Sequence, residues 1–136
     1  MALDLSQESP RIVELARWFA GLLKVELRAV HVVVDPVVRM DRALPFDREQ
    51  VLAGAQARAA EEKSQLLTPE TARDILVGPV TESLSRVSLE RGPSLLVLGS
   101  HGLGRVNRWL LGSTTEEILS RLPTSLAIVP SEPDWV

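Results

Sequence analysis

The residues of this chain best suited to chemistry lie between Leu95 and Thr115. Leu95-Leu96-Val97-Leu98 is an apolar run that stops at Gly99, and Gly99-Ser100-His101-Gly102 opens a stretch that, after nine intervening residues, closes at Gly112-Ser113-Thr114. A buried strand ending in glycine, a pliable backbone and a helix opening at Ser113 would bring free N–H groups and the positive end of a helix dipole together. Phosphate is the anion that suits such a place. Gly99 and Gly102 can take positive φ and let backbone approach a ligand closely. Gly112 leaves room beside the helix start, where Ser113 and the N–H groups of Thr114 and Thr115 can hold phosphate oxygens. Arg105 and Arg108 can supply counter-charge. The spacing matches neither the Walker loop, since no Gly-Lys-Ser/Thr is present, nor the dinucleotide fingerprint. Ser113-x-x-Glu116 is also a capping box, which alone accounts for both residues. Phosphate binding and plain helix capping therefore both stand on these residues.

The other reactive side chains form no constellation. His31 sits inside an apolar run and reads as a satisfied core or strand-end histidine, whereas His101 either touches a phosphate or faces water. The two are far apart and lack a spaced carboxylate, so no metal site is expected. No pairing designates a general base or nucleophile near the glycine stretch, and any hydrolysis there should be slow. Glu61-Glu62-Lys63 reads as a solvated helix face. Trp109 could be core, lid or subunit contact, and Trp135 has no partner that sequence can name.

Those residues must be positioned by a scaffold, and composition bounds it. With 136 residues, 45% hydrophobic and 24% charged, the chain suits one globular domain over 1–136, of which 131–136 is a polar tail. Its 15 basic and 18 acidic residues, net −3, argue against a nucleic-acid surface. No cysteine is present, which excludes disulfides and thiolate chemistry and fits a reducing cytoplasm. Arg17, Lys24 and Arg28 interrupt the best apolar runs, so no membrane span is expected. The start, Met1-Ala2-Leu3-Asp4, lacks the basic-then-apolar order of a signal peptide.

Punctuation then places the elements. Ala2-Leu3 reads as the last part of a first strand, ended by Asp4-Leu5-Ser6. Ser9 as N-cap and Pro10 at the first helical position start a helix carrying Ile12, Leu15, Ala16, Phe19, Leu22 and Leu23 at helical spacing. Val25 to Val34 is strand-like and ends at Asp35-Pro36. Val37 to Phe46 reads as a mobile loop. Asp47 caps a surface helix to about Leu67, with Gln50 as its capping-box partner. A strand is expected over Thr71–Val77, a helix from Gly78-Pro79 to about Arg91, a strand over Leu95–Leu98, a helix over Thr114–Leu122 and a last strand over Leu126–Val129. Alternating strands and helices predict an α/β fold, a doubly wound five-stranded parallel sheet with helices on both faces. Ligands in such folds bind beyond the carboxyl ends of the strands, where Asp4, Asp35 and Gly99 would converge.

The segment "LLVLGSHGLGRVNRWLLGSTTEEILSRLPTSLAIVP", Leu95 to Pro130, resembles the C-terminal half of the universal stress protein family. That family's ATP-binding branch carries glycine, two residues, glycine, nine residues, then glycine and serine or threonine, which this chain matches at Gly99, Gly102, Gly112 and Ser113. "ALDLS" at Ala2–Ser6, "VHVVVDP" at Val30–Pro36 and "VGPVTESL" at Val77–Leu84 resemble the family's first strand end, its second strand, and its third strand passing into a helix. Two departures are visible: the chain begins where the family's first strand would be about half complete, and Leu5 stands where many members have glycine.

The resemblance implies the strand order 3-2-1-4-5 and an adenine nucleotide at the carboxyl ends: ATP, or AMP or ADP. Asp4 would contact the ribose or adenine side, Ala2 and Leu3 would line the pocket, and Val32 would pack on the adenine. Leu98 and Gly99 would lie near the ribose, while Gly102, Gly112, Ser113, Thr114 and Thr115 hold the phosphates, with Arg105 nearby. Mg²⁺ or Mn²⁺ would be bound through phosphate oxygens and water. It also implies a homodimer through the uncharged last strand, residues 125–130, whose edge would otherwise stand open. The function so implied is a nucleotide-occupancy switch in stress response, acting on a protein partner that nothing in the sequence names. The alternative is a member that binds no nucleotide and serves as a dimeric interaction module.

Overall fold

The computed structural model describes residues 1–34, 48–100, 113–122 and 124–130, without the side chains of 113 and 114. Its elements run α1 (Ser9–Leu23), β1 (Arg28–Val33), α2 (Arg48–Leu66), β2 (Ala72–Val77), α3 (Val80–Arg91), β3 (Leu96–Gly99), α4 (Ser113–Arg121) and β4 (Leu126–Val129). The expected loop Val37–Phe46 lies outside the described residues.

Helix α1 begins one residue earlier than the capping pattern predicts. Glu8 is the N-cap and makes no side-chain capping bond, because the Ser9 hydroxyl turns back to donate to Asp4 Oδ1 at 3.3 Å. The same carboxylate oxygen accepts the Ser6 N–H at 2.9 Å, an Asx-type turn. Between them Leu5 takes φ 60°, the left-handed conformation that glycine adopts freely and leucine does not. The helix ends at Lys24, also left-handed, whose N–H donates to Ala20 O.

The expected single five-stranded sheet in the order 3-2-1-4-5 does not form. Two separate two-stranded parallel sheets stand in its place, β1 with β2 and β3 with β4. The first pairs Arg28 with Ala72 through Val33 with Val77; the second pairs Leu96 with Leu126 through Gly99 with Val129. Residues 1–3, read as the central strand, make one isolated bridge, Ala2 to Val30. Ala2 N donates to Val97 O and Leu3 N to Val30 O, each at 2.9 Å, so the segment touches both sheets. The Asp4 turn and the left-handed Leu5 break off the segment after Leu3, and its bonds are divided between Val97 and Val30 instead of forming a ladder on either.

Side-chain alternation along the strands divides the core in two. Leu3, Ala29, Val97 and Val129 join Ile12, Val13 and Ala16 of α1. Val30, Leu96 and Leu98 face Leu84 of α3 and Ile118 of α4. Ile118 is fully buried. Truncation to Ala should therefore destabilise the fold by about 2–5 kcal/mol, read as a lower denaturant midpoint with an unchanged slope. Thr81 Oγ1 of α3 donates to Glu117 Oε2 of α4 at 2.9 Å, and Arg121 pairs with the other oxygen of that carboxylate at 3.2 Å. These bonds hold the two helices side by side.

Lys63 departs from the sequence reading. The solvated face expected for Glu61-Glu62-Lys63 holds for the two glutamates, but Lys63 is 1% exposed. It lies four residues after buried Ala59, on the inward stripe of α2. Its ammonium donates to Asp74 O at 2.5 Å.

Candidate functional site

The candidate site lies at the carboxyl ends of β1 and β3. At the β3 end, Ser100 N donates to Val129 O at 2.9 Å, extending the pairing with β4 by one residue. The Thr115 hydroxyl, in the first turn of α4, reaches back to Gly99 O at 3.1 Å and Ser100 O at 3.4 Å. Thr115 is 4% exposed. One buried hydroxyl thus ties the strand end to the helix start and closes the two ends of the intervening 12 residues, 101–112, against each other. The first four N–H groups of a helix have no intrahelical acceptors, and this bond sets that end of α4 beside Gly99.

At the β1 end, His31 Nδ1 donates to Leu3 O at 2.7 Å. The imidazole is half-buried and satisfied, as a strand-end histidine would be. It fixes the last carbonyl before Asp4, whose own carboxylate organises the turn into α1. Leu3 itself is buried among residues packed under α1, so it offers backbone rather than side chain to the site. Ala2 and Val32 are half-buried and pack against the cluster containing Leu98 on the other face. Leu98 is 5% exposed.

The structure therefore gathers Ala2, Val32 and Leu98 in one cluster, sets Asp4 at the adjoining turn, and joins Gly99 to Thr115. Gly102, Arg105 and Gly112 lie outside the described residues, with His101, Arg108 and Trp109. For Ser113 and Thr114 the helical backbone alone is described. The sequence singled out Thr115 by its N–H; its hydroxyl, which makes the tie, was not foreseen. A threonine three residues after a loop glycine was the available signal. Among the described residues no group of three His, Cys, Asp or Glu side chains could hold a metal ion.

Charge perturbation is concentrated at the opposite end of the strands. Burial pushes the Lys63 ammonium down to about 8, with Asp74 opposing the shift and Arg73 reinforcing it. Burial likewise pushes the Met1 amino group down to about 6, with Lys63 adding to it; this group donates to Arg28 O at 2.7 Å. A cavity of about 230 Å³ also opens at this end, lined by Met1, Phe19, Leu23, Leu27 and Leu95. No helix among the described residues is long and apolar enough to cross a membrane.

Solved structures share this fold. One reported as hypothetical protein MJ0577 is 20% identical with TM-score 0.76, the match covering 98% of this chain and 94% of the other. A universal stress protein in complex with cAMP is 20% identical with TM-score 0.64, covering 97% and 94%. The universal stress protein UspA from Lactobacillus plantarum is 20% identical with TM-score 0.71, covering 94% and 93%. No curated protein matches the chain. The pattern characteristic of the universal stress protein family matches residues 1–130, and the chain belongs to that family.

Proposed function

We propose that this protein binds an adenine nucleotide, ATP foremost, at the carboxyl ends of β1 and β3, and that occupancy rather than turnover is its output. The observation that carries the reading is the Thr115 bond to Gly99 O, which brings a helix N-terminus against the glycine where the phosphate-binding pattern begins. A similar fold with cAMP bound shows that this architecture can accept an adenine nucleotide in a relative.

The described residues fit such a ligand. Ala2 and Val32 offer a half-buried apolar face, the Asp4 turn borders it, and the α4 terminus supplies a positive dipole end for phosphate. Leu98 and Gly99 would flank the ribose. Gly102, Gly112, Ser113 and Thr114, with Arg105 as counter-charge, would hold phosphate oxygens. Mg²⁺ or Mn²⁺ would be carried by the nucleotide's own phosphates. ATP then acts as a bound ligand that favours one arrangement of the glycine loop and dimer surface, a population shift read by a protein partner. The dimer would form through residues 125–130, where β4 pairs with β3 among the described strands and bears no charge. The reading treats 1–136 as one cytoplasmic domain without nucleic-acid or membrane partners.

A second reading is favoured by a specific observation. The sheet centre is reduced to one bridge, and a member lacking nucleotide would use the same dimer purely as an interaction module. Calorimetric titration of ATP with Mg²⁺, after denaturing a sample to identify carried nucleotide, separates the two. Binding to wild type that is lost in Gly112→Val supports the switch; no binding and no carried nucleotide leaves the interaction dimer.

A further inference from the structure

The turn between residues 4 and 9 gathers its polar groups around one carboxylate. Asp4 Oδ1 accepts the Ser6 N–H at 2.9 Å and the Ser9 hydroxyl at 3.3 Å. Ser9 is fully buried, and its own N–H donates to Ser6 O at 3.1 Å. A hydroxyl kept out of water needs a fixed partner, and here that partner is Asp4. The backbone leading into Asp4 is fastened as well: Leu3 N donates to Val30 O at 2.9 Å, and Leu3 O accepts from His31 Nδ1 at 2.7 Å. Between Asp4 and Ser6, Leu5 holds φ 60°, a conformation that costs a leucine energy and persists where its surroundings over-determine it. The two bonds to Oδ1 do so. The other carboxylate oxygen is different. Oδ2 makes no bond among the described residues, and none of their buried side-chain oxygens lacks a partner, so Oδ2 is open to solvent.

We infer that Ser9 is a positioning residue of the nucleotide site: its hydroxyl commits Oδ1 of Asp4 to the protein, so that Oδ2 is held ready to accept a hydrogen from a hydroxyl or amino group at the nucleoside end of the ligand. This role rests on the nucleotide reading and adds to it the reason that Asp4 is a fixed acceptor. Charge decides which end of the ligand comes here. The α4 N-terminus carries the positive end of a helix dipole, which suits phosphate. A carboxylate repels phosphate and accepts from neutral donors. The two ends of a nucleotide are thereby sorted, phosphate toward α4 and nucleoside toward Asp4. A carboxylate free to turn about its own bonds would have to be ordered when the ligand arrives. Held through both bonds to Oδ1, it is ordered beforehand, and that cost is removed from the binding step.

A double-mutant cycle tests this, with each variant read by calorimetric titration of ATP with Mg²⁺ and by thermal unfolding. Asp4→Asn keeps a carbonyl oxygen for Ser6 and Ser9 but replaces the other acceptor with an NH₂ donor, so the turn stays folded. Its affinity should fall about ten-fold or more, the loss of a hydrogen bond to a charged group. Ser9→Ala releases Oδ1 and should weaken binding about three- to ten-fold. In the Asp4→Asn background Ser9→Ala should cost no further affinity, because no contact to the ligand is left to position. A Ser9 that merely props the start of α1 would weaken binding by the same factor in both backgrounds, and that additive result overturns the proposal. Ser9→Ala binding as tightly as wild type also overturns it, and leaves the nucleotide reading in place. A wild type that binds no ATP ends that reading and this role together.

Discussion

Thr115→Val should weaken ATP·Mg²⁺ binding about ten-fold or more in calorimetry, while Thr115→Ser should restore affinity to near wild type. Valine matches threonine in shape but cannot donate, so Gly99 O and Ser100 O lose the hydroxyl that reaches them in a site 4% exposed to solvent. Leaving a buried polar group unsatisfied costs about 1–3 kcal/mol, and ten-fold in affinity is about 1.4 kcal/mol. The two ends of 101–112 would no longer be held together before the ligand arrives, and ordering them would fall on the binding step. The serine variant separates the tie from methyl packing. If valine and wild type bind alike, the hydroxyl does not serve the site. If neither binds, the nucleotide reading itself fails while the valine variant's thermal stability still reports on the tie.

Lys63→Met should stabilise the fold by about 1–2 kcal/mol at pH 7 and remove a rise in stability on the alkaline side. The unfolded chain holds the Lys63 proton up to about pH 10.5 and the folded chain only up to about pH 8. Between those values the unfolded state binds more protons, so wild-type stability should increase with pH across that window. Below about pH 8 the full burden of burying this cation remains, of order 3 kcal/mol. Methionine removes that burden and fills similar volume. It also forfeits the hydrogen bond to Asp74 O, worth about 1–2 kcal/mol for a charged donor, which leaves the net figure above. Replacement of buried charge by apolar side chains has the same sign elsewhere. Urea unfolding of both proteins from pH 7 to 10 measures it. A variant less stable than wild type at pH 7, or a wild-type curve flat above pH 8, would contradict the account.

Sequence reading located most elements to within a few residues because their signals are local. Leu126–Val129 coincides with its expected range, and Gly78-Pro79 leads into the helix that begins at Val80. At Gly78 the requirement is visible: φ is +145°, and a Cβ would lie 3.1 Å from Ser83 Oγ. The glycine-and-hydroxyl pattern from Gly99 to Ser113 is a property of the sequence, and its residues 101–112 lie outside the described residues. Capping assignments were less secure: Ser9 is drawn to Asp4 and leaves the N-cap to Glu8.

What this sequence determined by itself is the order of strands and helices, the family pattern at its glycines, and the absence of cysteine chemistry. Tertiary structure alone decided three further matters. It reduced the expected central strand to one bridge, because the Asp4 turn breaks the segment off after Leu3 while its bonds are divided between Val97 and Val30. It buried Lys63 within a helix whose local composition reads as solvent-facing, because the register of α2 against β2 brings that position over the Asp74 carbonyl. It turned the Thr115 hydroxyl onto carbonyls 15 and 16 residues earlier. In each case the deciding contact joins residues far apart in the chain, and no local rule of propensity or spacing contains that energy.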